Sequence, residues 1–279
     1  MKETLLERQN NRIWEVDALR GILILCLLAT HMYYNVYEFC IDGYYTNFDS
    51  YAYVNATDPL HFWFDWGEDG VIYKAYLSDA LRETWVRAGV DGFFVVSGIA
   101  CVFSRSNLTR GLKMLGGAML MTAISAIFAW LLKDYALFIR FGALHCYAFC
   151  HLIYYYCFRR CSSKTLLVAS VPIFAVGYYL RYFPIAIPSP LLLPFGIYEL
   201  GVQDGDYWPL LPMLGWLLVG VVLGRKLYPE RMSLWPNSKL QKFSRPFCFL
   251  GRHSGVIYLA QYPIYKGFFY GLGKIMHWL

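Results

Sequence analysis

The chain has 279 residues; 58% are hydrophobic, 19% aromatic and only 16% charged, with a net charge of +6 and a mean hydropathy of +0.38. A soluble domain carries about 25% charged residues, so a soluble enzyme is excluded, as are a disordered chain, a collagen and a coiled coil. What remains is a multi-span membrane protein, with aromatics dense enough for interfacial belts.

Seven charge-free runs follow one another: Gly21–Tyr37, Gly92–Ser104, Met114–Leu132, Phe141–Phe158, Thr165–Leu180, Tyr207–Gly224 and His253–Tyr265. A span needs about 20 mainly apolar residues, and flanking residues complete the shorter runs. The expected fold is all-α: a polytopic transmembrane helix bundle of about seven spans, forming one domain over residues 1–279. Tyr182–Tyr198 is also uncharged, but Pro184, Pro188, Pro190 and Pro194 break it, and it reads as a loop, re-entrant if buried in protein.

With a cytoplasmic N-terminus and seven spans, 17 of the 25 basic residues fall on the cytoplasmic side and 14 of the 19 acids on the outer side. This is the asymmetry of the positive-inside rule. The positive charge is thereby explained by topology, and no nucleic-acid partner is implied. The partners expected are the lipid bilayer of a cell membrane, bacterial inner or plasma in type, and a second copy of the chain as a homodimer. Met1–Asp17 is polar and reads as no cleavable signal. Eight cysteines lie mostly within the spans and suggest no disulfide framework, and no metal-ligand spacing occurs. Two long connections interrupt the spans. Residues 38–84 hold nine acids and twelve aromatic rings and read as an external lid, or as a platform for a sugar ring. Residues 225–252 form a basic cytoplasmic loop against anionic lipid.

In the first span, Asp17, Arg20, Ile24, Leu28, His31 and Asn35 recur at steps of three and four and share one helix face. Asp17 and Arg20 stand at the cytoplasmic mouth, with His31 roughly 16 Å deeper. Ionisable groups within a span usually face a polar cavity. A packing histidine bonded across helices would give the same pattern, but Asn35 on the same face favours a functional His31. Asp91, at the start of the second run, reads equally as a partner fixing the His31 tautomer and as an N-cap. Ser97 and Gly98 are small residues suited to close packing. In the fourth span, Arg140 lies near the outer surface and His145 about 7.5 Å deeper, at a depth like that of His31. His151, near mid-bilayer, is less informative. Asp206, ahead of Tyr207-Trp208-Pro209, suits a cap for the sixth helix or a contact to a sugar hydroxyl.

Val16-Asp17-Ala18-Leu19-Arg20-Gly21, then Arg20-x10-His31, then Phe93-Phe94-Val95-Val96-Ser97-Gly98 resemble the integral-membrane acyltransferase-3 superfamily. Phe138–His145, Gly205–Trp216 and Leu250–Leu259 resemble one branch of it, the heparan-alpha-glucosaminide N-acetyltransferase catalytic domain, and the likeness runs in order from Arg12 to Pro263. The resemblance implies transfer of an acetyl group from cytoplasmic acetyl-CoA to a sugar amine or hydroxyl on the outer face. A transporter or channel for a small polar solute is the alternative that a polar-lined bundle allows. Within the resemblance, His31 takes the histidine position of the Arg-x10-His motif. His31, Asn35, Asp91 and His145 are then the catalytic candidates. Asp17, Arg20, Ser97, Arg105, Arg225 and Arg252 are candidates for the acetyl-CoA end, where guanidinium forks suit phosphates. Arg140, Asp206 and Tyr207 are candidates for the acceptor. The chain departs from the pattern in two places. Lysosomal members carry Asn at the His31 position and a histidine in the following loop, where this chain has only His61 at a different spacing. Bacterial relatives read His-Gln-Pro in the last span, where this chain reads Ala260-Gln261-Tyr262-Pro263. Heparan itself is not implied as the acceptor.

Overall fold

The computed structural model describes residues 13–46, 75–133, 138–183, 185, 187, 189–197, 206–236 and 239–275. Among them every regular element is helical: α1 (Trp14–Thr46), α2 (Ala75–Phe103), α3 (Asn107–Leu132), α4 (Ala143–Ile153, continued by a π turn over Tyr154–Phe158), α5 (Ser163–Tyr182), α6 (Leu210–Leu227), α7 (Lys239–Phe243) and α8 (Arg245–Ile275). Each of the seven charge-free runs overlaps a helix. Three of those helices, over Asn107–Leu131, Ser163–Tyr182 and Leu210–Leu227, are long and apolar enough to cross a membrane, and Ala88–Phe103 is a shorter apolar stretch. Helix-lining apolar side chains such as Trp130, Val168, Val171 and Ile127 face outward, more than half exposed, as in a helix surrounded by lipid.

Four boundaries differ from the sequence expectation. α2 starts at Ala75, so Asp91 lies well inside the helix and is not its N-cap. A helix tolerates charges before it enters an apolar stretch, and the edge of a charge-free run is therefore not a helix end. For the same reason α1 continues to Thr46, so both ends of the expected loop 38–84 are helical; its residues 47–74 lie outside the described residues. In the basic connection, α7 and the first turns of α8 replace much of the loop. Within Tyr182–Tyr198 the prolines leave a short 3₁₀ turn, Pro190–Phe195, closed by Gly196 at φ +96°, a left-handed conformation that glycine adopts without cost.

The helix starts follow capping chemistry. Ser106 Oγ accepts from the Thr109 N–H at 3.2 Å, and Ser162 Oγ from the Thr165 N–H at 3.1 Å, each satisfying a donor that a helix leaves open. α4 is capped from a distance: Asp206 Oδ2 accepts from the Ala143 N–H at 3.0 Å. Asp206 thus caps the fourth helix; the N-cap of α6 is Pro209, without a side-chain bond.

The chain forms two compact units, one of residues up to Ile22 together with Asp91–Gly255, the other of Leu23–Val90 and Val256 onward. In the first unit, α2 and α6 approach backbone to backbone. A Cβ on Gly98 would overlap the Leu217 carbonyl, and one on Gly220 the Val95 carbonyl. α1 and α8 meet the same way through Gly21 against Phe247 and Gly251 against Asp17. Such small-residue contacts drive helix association where no hydrophobic effect operates between helices. A buried carboxylate adds a clasp after α6: Glu15 accepts from the Leu234 N–H at 2.6 Å and from Ser233 Oγ at 2.9 Å. Burial, with Glu15 nearby, pushes the Tyr228 phenol up to about 12. In the second unit, the His31 ring lies 6.2 Å from that of Tyr258, and the Tyr265 hydroxyl donates to the Leu28 carbonyl at 3.4 Å.

Candidate functional site

The first unit holds an open cavity of about 330 Å³ lined by Ile13, Val16, Asp17, Arg20, Ala100, Phe103, Ser104, Arg110 and Arg252. The first turns of α1 supply Asp17 and Arg20, and the last turn of α2 with its following residue supplies Ala100, Phe103 and Ser104. α3 adds Arg110, and α8 adds Arg252. The turn of Ser104, Arg105 and Ser106 between α2 and α3 makes the assembly compact, because Ser106 caps α3 within three residues of the end of α2 and so sets the phase on which Arg110 projects. Asn107 Nδ2 donates back to the Cys101 carbonyl at 3.1 Å and ties the two helix ends.

Three guanidiniums face one carboxylate. Arg20 pairs with Asp17 at 3.2 Å, the two side chains 15% and 16% exposed. Arg20 Nε is buried without a hydrogen bond. Arg252 donates from Nε to the Cys248 carbonyl at 3.0 Å, which leaves its terminal nitrogens for the cavity. Arg110 donates from Nη2 to the Tyr147 hydroxyl at 2.9 Å and lies 5.9 Å from that ring's centre. A cavity of this size with excess cationic, fork-shaped donors suits an anion with several oxygens.

Behind Arg110 stands a fully buried polar chain. His151 Nδ1 donates to the Tyr147 carbonyl at 2.9 Å, so Nε2 is the acceptor for the Ser97 hydroxyl at 3.0 Å. The His151 and Tyr147 rings are 4.5 Å apart, and Phe93 and Phe94 pack on Tyr147 at 5.7 and 5.6 Å. Ser97 and His151 have no exposed surface, and hydrogen bonding is what makes such burial tolerable.

The sequence candidates divide accordingly. Asp17, Arg20 and Arg252 come together at the cavity. Ser97 is one helical turn from Ala100, bonded to His151. Arg105 is exposed in the turn. Arg225 reaches away, donating to the Cys161 carbonyl at 2.7 Å and the Arg159 carbonyl at 3.3 Å. His145 is fixed locally: its Nδ1 accepts from the Gly142 N–H at 3.3 Å, leaving Nε2 to donate to Thr122 Oγ1 at 3.2 Å. Tyr207 donates to the Leu193 carbonyl at 2.6 Å. Arg140 is half-buried just before α4, and Asp91 half-buried within α2. His31 is half-buried in the second unit, as an interior member of α1; the side chain of Asn35 lies outside the described residues. Arg110 and Tyr147 were not singled out by sequence, and His151 read there as less informative. The signals were there: Arg110 falls in the first turn of a helix at the basic mouth, and Tyr147 and His151 lie at i, i+4.

Among the described residues no group of His, Cys, Asp or Glu is placed to hold a metal ion. The family model described as heparan-alpha-glucosaminide N-acetyltransferase, catalytic, matches residues 59–263, well over half of the chain. No curated protein and no solved structure matches it.

Proposed function

We propose, from the premise that the chain belongs to the heparan-alpha-glucosaminide N-acetyltransferase catalytic family, that this membrane acyltransferase takes its acetyl group from acetyl-CoA on the cytoplasmic side. It delivers that group to a sugar amine or hydroxyl on the outer face. The observation that supports the donor most is the cavity ringed by Arg20, Arg110 and Arg252, a set of cations fitted to the phosphates of CoA. Asp17 holds Arg20 in place. His31 is the general base that takes the acceptor's proton as its nitrogen or oxygen attacks the thioester carbonyl, and the CoA thiolate leaves. Imidazole suits proton transfer of that kind, and His31 holds the histidine position of the Arg-x10-His motif. Transfer is direct, with no acyl group carried on the protein.

Acetyl-CoA should bind saturably to the detergent-purified chain, and Arg20→Ala should weaken that binding about tenfold, the scale of one lost charge-assisted bond. Titration calorimetry reads both values, and an unchanged affinity in the variant would return Arg20 to a structural role. The sidedness has its own test. A cysteine placed at Ser238 should react with an impermeant thiol reagent only after the membrane is opened, and one at Thr57 without opening; the reverse pattern would invert the orientation.

A further inference from the structure

We propose that Tyr147 is the positioning residue that presents Arg110 to an anion in the cavity. The inference rests on the reading of that cavity as an anion site and goes beyond it by assigning the residue that sets its geometry. Arg110 lines the cavity while Tyr147 does not, yet their contact is direct, Arg110 Nη2 to Tyr147 Oη at 2.9 Å. A guanidinium offers five donors in a rigid fork. One is spent on Tyr147, which fixes the plane of the rest. Without that anchor the long side chain regains rotamer freedom, and an ordering cost returns to every ligand it binds.

Tyr147 can serve as an anchor because it is itself immobilised. Phe93 and Phe94 of α2 pack against its ring, and the His151 ring lies 4.5 Å away. His151 is held in turn, by its bond to the Tyr147 carbonyl and by Ser97 across the helix interface. The three-helix chain of Ser97 on α2, His151 and Tyr147 on α4, and Arg110 on α3 therefore ends in the cavity.

Tyr147→Phe removes the hydroxyl and keeps the ring packing. The test is a double-mutant cycle with Arg110→Gln on the full-length, detergent-purified chain, with acetyl-CoA and inorganic pyrophosphate as separate calorimetric probes. Tyr147→Phe alone should weaken binding about tenfold, the scale of a hydrogen bond to a charged group. In the Arg110→Gln background the same change should matter by less than about twofold, since the two residues act as one unit. A merely structural Tyr147 would weaken binding equally in both backgrounds, and that result, or an unaffected Tyr147→Phe, overturns the assignment. If Arg110→Gln does not purify folded, Arg110→Met, which also removes the donor to Tyr147, takes its place in the cycle. Pyrophosphate binding with the expected coupling, but no acetyl-CoA binding, would sink the functional reading and leave this inference standing. Binding of neither probe would sink both.

Discussion

Replacing His31 with alanine should lower turnover about 10²- to 10⁴-fold while acetyl-CoA still binds with its original affinity. A positioned base contributes on that order to proton transfer. The cavity that gathers Asp17, Arg20, Arg110 and Arg252 does not include His31, so the donor should not register the change. The loss should therefore appear in kcat, with little in the binding constant. Incubation with labelled acetyl-CoA and no acceptor probes the same step from the other side. Direct transfer leaves the protein unlabelled. A stoichiometric label that survives denaturation and disappears with His31→Ala would make His31 a nucleophile instead. Full turnover in His31→Ala would remove it from the chemistry altogether.

Gly98→Ala should prevent α2 and α6 from packing, and Gly116→Ala should not harm the protein. The two substitutions add the same methyl group to two helix interiors. At Gly98 the new Cβ falls on the Leu217 carbonyl and comes within 2.8 Å of the Val221 nitrogen, all of it backbone, which cannot step aside as a flexible side chain would. Overpacking costs about 1–3 kcal/mol or more, and here the contact is one between whole helices. At Gly116 nothing lies within 4 Å, and a helix gains roughly 0.5–1 kcal/mol when alanine replaces glycine. Size-exclusion profiles and thermal midpoints of the two purified variants measure this directly. A well-behaved Gly98→Ala protein with an undiminished midpoint would mean that the interface is looser than its geometry.

The helical class was legible because burial in lipid leaves the backbone few solutions, and the charge-free runs mark where each helix passes. Their ends were less legible. Asp91 stood at the edge of such a run and resembled a cap, but α2 had begun at Ala75, since a helix outside the apolar layer carries charge freely. The site was readable wherever one helix supplied its own spacing. Asp17 and Arg20 at i, i+3 meet as that spacing requires. It was not readable where the partner came from another helix. Positive-inside bias places Arg105, Arg110, Arg225 and Arg252 on one side without saying which way each points. Arg110 and Arg252 line the cavity, while Arg225 ties down carbonyls of the turn between α4 and α5. Asp206 likewise accepts its hydrogen bond from a helix more than sixty positions earlier, a distance no local pattern encodes.

The cap at Ser106 has a consequence for how this chain can change over generations. Each residue of a helix advances it by about 100°. One codon gained or lost between Ser106 and Arg110 would leave the cap in place and swing the guanidinium a quarter of the way round α3, out of the cavity and away from the Tyr147 hydroxyl. Substitutions can be sampled one at a time in that stretch, whereas a single-residue indel removes a cation and its anchor together. Lineages that keep an arginine here should therefore keep the distance from serine to arginine, however freely the residues between them drift.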